Sequence, residues 1–241
     1  MAATQQRVLK SEQVEEFYHD VFVTSQVHDF VEVVNEVRLP VEKVVDIGGG
    51  CGFFAGALAQ KTGLDAQVVD MDPGSVAACH ARGVPAELGD ALNPDQRGDE
   101  DVVSFNLILH HLVAASDAET EALQRQAMAV WRGKAKAVFV NEYIYDSYVG
   151  NASGWLIYQI TSSRLLSAIG TAVAKFIPSL RANTFGTGVR FRSHQEWLGL
   201  FDRLGFSVAA YRRGPEENVS PARRMLMIKS CRRDSYLLVA K

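Results

Sequence analysis

The stretch Val44-Val45-Asp46-Ile47-Gly48-Gly49-Gly50-Cys51-Gly52-Phe53-Phe54 constrains this chain more than any other. Val44, Val45 and Ile47 read as a short buried strand, four glycines in five positions form a tight loop, and residues 53–60 read as the helix that follows. Glycine lets the backbone turn sharply and lets a ligand approach closely. A strand feeding such a loop and a helix N-terminus is therefore a place for a nucleotide-like ligand. Gly50-x-Gly52-x-x-Ala55 satisfies the dinucleotide-binding fingerprint, but that loop usually carries an apolar residue where this chain has Asp46, and a carboxylate sits poorly beside a pyrophosphate.

The rest of the chain alternates in the same way. Strands are expected at residues 43–47, 64–69, 84–88, 102–105, 135–141 and 206–211, and a terminal pair at 225–228 and 235–240 around a polar stretch. Apolar spacing over residues 11–39 predicts two amphipathic helices, the first capped by Ser11 and the second closed by Pro40. Residues 118–131 predict another helix, residues 155–177 one or two more, and Ser193 with Glu196 forms a capping box for a helix over 193–204. At 241 residues and 47% hydrophobic, the chain is expected to form one α/β domain, residues 1–241. Its parts are a helical cover (1–40), a ligand-binding core (41–142), an insertion (143–192) and the C-terminal part of the sheet (193–241).

Several classes are disfavoured. No apolar run reaches 18 residues and residues 1–10 lack an apolar signal core, so no membrane partner is expected. Cys51, Cys79 and Cys231 form neither a metal spacing nor an even disulfide framework, which predicts reduced cytoplasmic thiols and no metal. Residues 1–150 hold 11 Lys and Arg against 23 Asp and Glu, a net −12, while residues 151–241 hold 14 against 5, a net +9. The basic residues are dispersed and never run longer than a pair, so no nucleic-acid partner is expected.

Asp46-x-Gly48-x-Gly50-x-Gly52 resembles the first motif of the class I S-adenosylmethionine-dependent methyltransferases of the small-molecule type. Asp70-Met71-Asp72-Pro73, Gly89-Asp90-Ala91 and the run from Asp101 through Asn106 to His110-His111-Leu112 resemble that family's next motifs. The resemblance implies a Rossmann-like doubly wound sheet of order 3-2-1-4-5-7-6 with strand 7 antiparallel, N-terminal helices, and a lid insertion after strand 5. It implies S-adenosylmethionine as cofactor, with Asp46 near the methionine amino end and Gly48, Gly50 and Gly52 passing beneath the ligand. Asp70 would hold ribose, Met71 would pack on adenine, Asp90 and Ala91 would read the adenine edge, and Asn106 would complete the site.

The activity implied is methyl transfer to an oxygen or nitrogen of a small molecule. A base is needed only where the acceptor arrives protonated, and His111, His110 and Glu142 are the candidates in that order. Tyr18, Tyr143 and Trp155 are candidate acceptor-pocket walls. Arg190 and Arg192 alternate around Phe191 and can share one face, which suits either an anionic acceptor or pairing with the acidic first half. A non-catalytic binding module and a nicotinamide-dependent reductase are the competing readings. The resemblance leaves room for a homodimer.

Overall fold

A computed structural model describes residues 20–95, 98–176 and 186–241. The elements in chain order are α1 (Asp20–Val37), β1 (Lys43–Ile47), α2 (Phe53–Thr62), β2 (Asp65–Asp70), α3 (Pro73–Ala81), β3 (Ala86–Leu88) and β4 (Val102–Asn106). A 3-10 turn (Leu109–His111) precedes α4 (Asp117–Ala129), β5 (Ala137–Ser147), α5 (Ala152–Ser162) and α6 (Arg164–Phe176). The chain ends with α7 (His194–Arg203), β6 (Phe206–Arg212), α8 (Pro221–Arg224) and β7 (Ile228–Ala240). The strands form one sheet of order β3-β2-β1-β4-β5-β7-β6, parallel except for β7, which is antiparallel to both neighbours. This is the strand order, with the antiparallel seventh strand, that the resemblance implied.

The central strands are buried on both faces because helices cover both. Alternate residues point to opposite sides, so Val44 and Val102 join one core with Phe30, Phe54 and Phe139. Val45 and Val103 join the other with Trp131, Trp197 and Phe201. Phe30 meets Phe139 edge-to-face at 5.1 Å, which ties α1 to the middle of the sheet. The helix expected from Ser11 lies outside the described residues. Within the described residues α1 runs unbroken from Asp20 to Val37 and is closed by Arg38, whose φ of 53° is left-handed.

Two expectations at the C-terminal half are corrected. β5 does not close at Glu142 but continues to Ser147, because β7 pairs with it along its full length, from Val138↔Leu238 to Ser147↔Ile228. β7 is itself one strand rather than two. The charges that suggested a loop at residues 229–234 are neutralised within the sheet, Arg232 pairing with Asp234 at 3.0 Å and with Asp146 at 2.5 Å. Buried charges are tolerated when paired in this way. The insertion therefore begins after Ser147, and residues 143–147 belong to the sheet.

Candidate active site

The sheet order reverses between β1 and β4, both parallel, and it is at the carboxyl ends of the strands beside such a reversal that open α/β sheets bind ligands. Asp46 and Ser104 lie opposite each other in register at that point. The Asp46 carboxylate is 1% exposed. Its Oδ1 accepts from Ser104 Oγ at 3.0 Å and from Asn106 Nδ2 at 2.8 Å, whereas Oδ2 and the Asn106 Oδ1 have no partner among the described residues. Burial raises the Asp46 pKa to about 7 against the opposing hydrogen bonds of Asn106 and Ser104. Two buried acceptors without donors are costly unless a donor arrives from outside the chain.

The loop after β1 is shaped for such a guest. Gly48, Gly50 and Gly52 all have left-handed φ values of 67°, 54° and 75°, which L side chains rarely adopt. A Cβ on Gly48 would lie 2.6 Å from Ile108 Cγ1, and one on Gly49 would lie 2.5 Å from Asp46 Oδ2. Gly52 caps α2 without a side-chain hydrogen bond. Asp70, at the end of β2, holds the loop by accepting from Gly50 N–H at 2.9 Å, and its other oxygen accepts from Asp72 N–H at 2.9 Å. Burial raises its pKa as well. Asp72 caps α3 through Ser75 N–H. Met71 is exposed beside it, and Asp90 is exposed after β3, its Oδ1 accepting from Leu92 N–H at 2.9 Å while Ala91 is buried. The structure thus brings Asp46, the glycines, Asp70 and Asn106 to one edge, with Met71, Asp90 and Ala91 at the ends of the neighbouring β2 and β3. Leu107 follows with φ 54°, strained for a branched side chain, and donates its N–H to Asn141 O.

The 3-10 turn carries the two histidines. Glu142, fully buried, accepts from Leu109 N–H at 2.7 Å and His110 N–H at 3.3 Å through Oε1, and meets His110 Nδ1 at 2.7 Å through Oε2. The His110 ring is buried between His111, at 4.2 Å, and Phe191, at 4.9 Å. Phe191 in turn stacks on Tyr145 at 4.3 Å, and Tyr143 packs edge-on against both Phe191 and His110. His111 is half-buried, and neither of its ring nitrogens meets a hydrogen-bond partner among the described residues. Burial and the adjacent His110 push its pKa well below the ordinary imidazole value. Burial pushes the Tyr143 phenol up to about 12.

The insertion returns to the sheet where β5 outruns β4. There Tyr145 N–H donates to Arg192 O at 3.1 Å, and Arg190 N–H donates to His110 O at 2.9 Å. Arg190 and Arg192 share a face, and that face is buried against carboxylates, the pairing that the sequence reading set beside an anionic acceptor. Arg190 pairs with Asp117 at 2.7 Å and Glu196 at 3.0 Å, and Arg192 donates to Gln124 Oε1 at 2.8 Å. Gln124 then donates to Leu109 O, so the arginines brace the histidine turn. Trp155 is half exposed on α5. Tyr18 lies outside the described residues. Motif spacing missed Ser104 and Gly49. The register match of Ser104 with Asp46 was the only signal for the first, and the unbroken glycine triplet for the second.

No protein-family model matches the sequence, and no curated protein matches it. Solved structures do. Magnesium protoporphyrin IX methyltransferase from Synechocystis PCC 6803 with bound S-adenosylhomocysteine superposes with a TM-score of 0.54 at 17% identity, covering 97% of this chain and 89% of that one. An S-adenosylmethionine-dependent methyltransferase from Geobacter sulfurreducens, also holding S-adenosylhomocysteine, gives 0.53 at 15% identity over 95% of this chain and 96% of that one. The O-methyltransferase NcsB1 of neocarzinostatin biosynthesis, in complex with S-adenosylmethionine and 2-hydroxy-5-methyl naphthoic acid, gives 0.51 at 19% over 91% of this chain and 57% of that one. Strand order, the antiparallel β7 and these superpositions agree: the chain has the fold of the class I S-adenosylmethionine-dependent methyltransferases.

Proposed function

We propose that residues 1–241 act as a single methyltransferase domain that transfers a methyl group from S-adenosylmethionine to an oxygen or nitrogen of a small molecule. The observation that carries the proposal is the buried Asp46 Oδ2 beside the buried Asn106 Oδ1, both lacking donors. An ammonium supplies what they lack, and a pyrophosphate would add charge to an already buried carboxylate. That contrast favours a methionine-bearing nucleoside over a nicotinamide dinucleotide. Asp46, Asn106 and the glycine loop would hold the methionine end, Asp70 the ribose, and Met71, Asp90 and Ala91 the adenine. The bound cofactor supplies a methyl group already activated on a sulfonium.

The chain's own part is then positioning, exclusion of water and handling of one proton. His111, kept neutral by its surroundings, has the lone pair to take a proton from a hydroxyl or ammonium acceptor. Glu142 is spent on the turn and His110 is enclosed, so both position His111 rather than reach an acceptor. Tyr143, beside them, is the acceptor-side aromatic. The cysteines at 51, 79 and 231 form no disulfide among the described residues, which suits the reducing cytoplasm.

Isothermal calorimetry tests the reading. S-adenosylhomocysteine should bind in about the micromolar range, equivalent to about 8 kcal/mol, with NAD producing little heat. Tight NAD binding with no response to S-adenosylhomocysteine would overturn it. Binding with no turnover over a panel of hydroxyl, carboxyl and amine acceptors would favour a non-catalytic module.

A further inference from the structure

Helix α6 is amphipathic the wrong way round for its place in the fold. At about 100° per residue, Leu165, Leu166, Ile169, Val173 and Phe176 fall on one arc about a third of the circumference wide. All five are exposed, Leu165 by 71% and Phe176 by 86%. The side that packs inward is marked by the buried Ser167, whose hydroxyl donates to Ile160 O at 2.8 Å and Thr161 O at 3.0 Å. A surface helix normally buries its apolar stripe and exposes its polar one, so an outward stripe of this kind marks a surface waiting for a partner.

The charge around the stripe narrows the partner. No Asp or Glu occurs anywhere in residues 147–195, although five Lys and Arg do. Arg190 and Arg192 are turned inward, and Arg164 and Lys175 stand exposed at the two ends of α6. A second copy of the chain is a poor fit. A two-fold contact would set the stripe against itself and bring like charges together with no carboxylate from either copy of the segment. An apolar surface that itself carries negative charge fits both features.

We propose that the outer face of α6 docks on an anionic lipid bilayer, the apolar arc entering the headgroup boundary and Arg164 and Lys175 meeting lipid phosphates. No helix among the described residues is long and apolar enough to cross a membrane, so the contact is peripheral.

The full chain mixed with phosphatidylglycerol–phosphatidylcholine vesicles should float with them at low salt and be released as salt rises, and should stay behind with phosphatidylcholine alone. The double variant Leu165→Glu/Ile169→Glu changes only exposed positions. It should reduce flotation at least about tenfold, since two buried apolar side chains are lost from the contact, with S-adenosylhomocysteine affinity and melting temperature unchanged. Absence of flotation with anionic vesicles at low salt, or equal flotation by the variant, overturns the proposal. So does a concentration-dependent dimer in sedimentation velocity that the same variant dissolves, which would assign the stripe to a second copy. Because cofactor affinity is read separately, failure here is distinct from failure of the methyltransferase reading.

Discussion

Glu142 holds His110 at two points, accepting its backbone N–H at 3.3 Å and meeting its ring Nδ1 at 2.7 Å. One carboxylate thereby sets both the shape of the 3-10 turn and the plane of the ring against which His111 packs. Glu142→Ala leaves the Leu109 N–H and the His110 ring without their buried acceptor, a loss of about 1–3 kcal/mol for each unsatisfied group. The expected outcome is a lower melting temperature and a lower kcat with near-normal S-adenosylhomocysteine affinity by calorimetry. Glu142→Gln, which keeps an acceptor for the turn, should recover most of the stability and less of the rate.

His111 should set the acid limb of the pH–rate profile. A base titrates out as pH falls through its folded pKa, and that value is held below the ordinary 6.5 by burial and by His110. With cofactor saturating, kcat/KM for a hydroxyl acceptor should stay level as pH falls through 6.5 and decline only well below it. His111→Ala should cost about 10²–10⁴-fold in kcat, the usual range for a general base. An acid limb at or above 6.5 that survives His111→Ala would place the base elsewhere.

Asp46 links cofactor binding to protons. Its folded pKa of about 7 lies above the ordinary 3.8, so between those values the folded chain holds a proton that the unfolded chain releases. The ligand-free protein should therefore lose stability as pH rises from about 4 to about 7. An ammonium at Oδ2 favours the ionised form and reverses the trend. S-adenosylhomocysteine should bind more tightly as pH rises toward about 7, level off above it, and release protons near pH 6, measured in buffers of different ionisation enthalpy. In Asp46→Asn both effects should vanish.

The parts of the fold that show in the sequence are those with a local cause. Val44 to Gly52 announces a buried strand and a left-handed loop because valine runs and glycine spacing act over a few residues. Asp70, twenty residues after Gly50, follows from the same βαβ geometry, and the structure bonds the two at 2.9 Å. What did not show depends on distant partners. Residues 143–147 read as insertion because only β7 makes them a strand, and Lys229 to Asp234 read as a loop because the pairing of Arg232 with Asp146 spans 86 residues. The fate of Arg190 was likewise set by Asp117, which sits 73 residues away at the start of α4. Ser104 was hidden among apolar neighbours until register placed it beside Asp46.

Gly49 supplies the sharpest probe of the loop, although the motif leaves its position open. Unlike Gly48, Gly50 and Gly52, it does not adopt a left-handed φ, so alanine is allowed by its backbone. The obstacle is purely steric, because the new Cβ would stand 2.5 Å from Asp46 Oδ2 and 3.1 Å from Val68 Cγ2. Neither neighbour is free to yield, Val68 being core and the carboxylate being held by Ser104 and Asn106. Gly49→Ala should cost about 1–3 kcal/mol of stability, as overpacking in a dense site does. If Asp46 anchors the ligand, the displaced carboxylate should also weaken S-adenosylhomocysteine binding by at least about tenfold, or about 1.4 kcal/mol. Gly63→Ala, in a loop position with open space and a left-handed φ, controls for strain alone and should leave affinity unchanged. Wild-type affinity in Gly49→Ala, with the stability loss present, would show that the Asp46 carboxylate plays no part in holding the ligand.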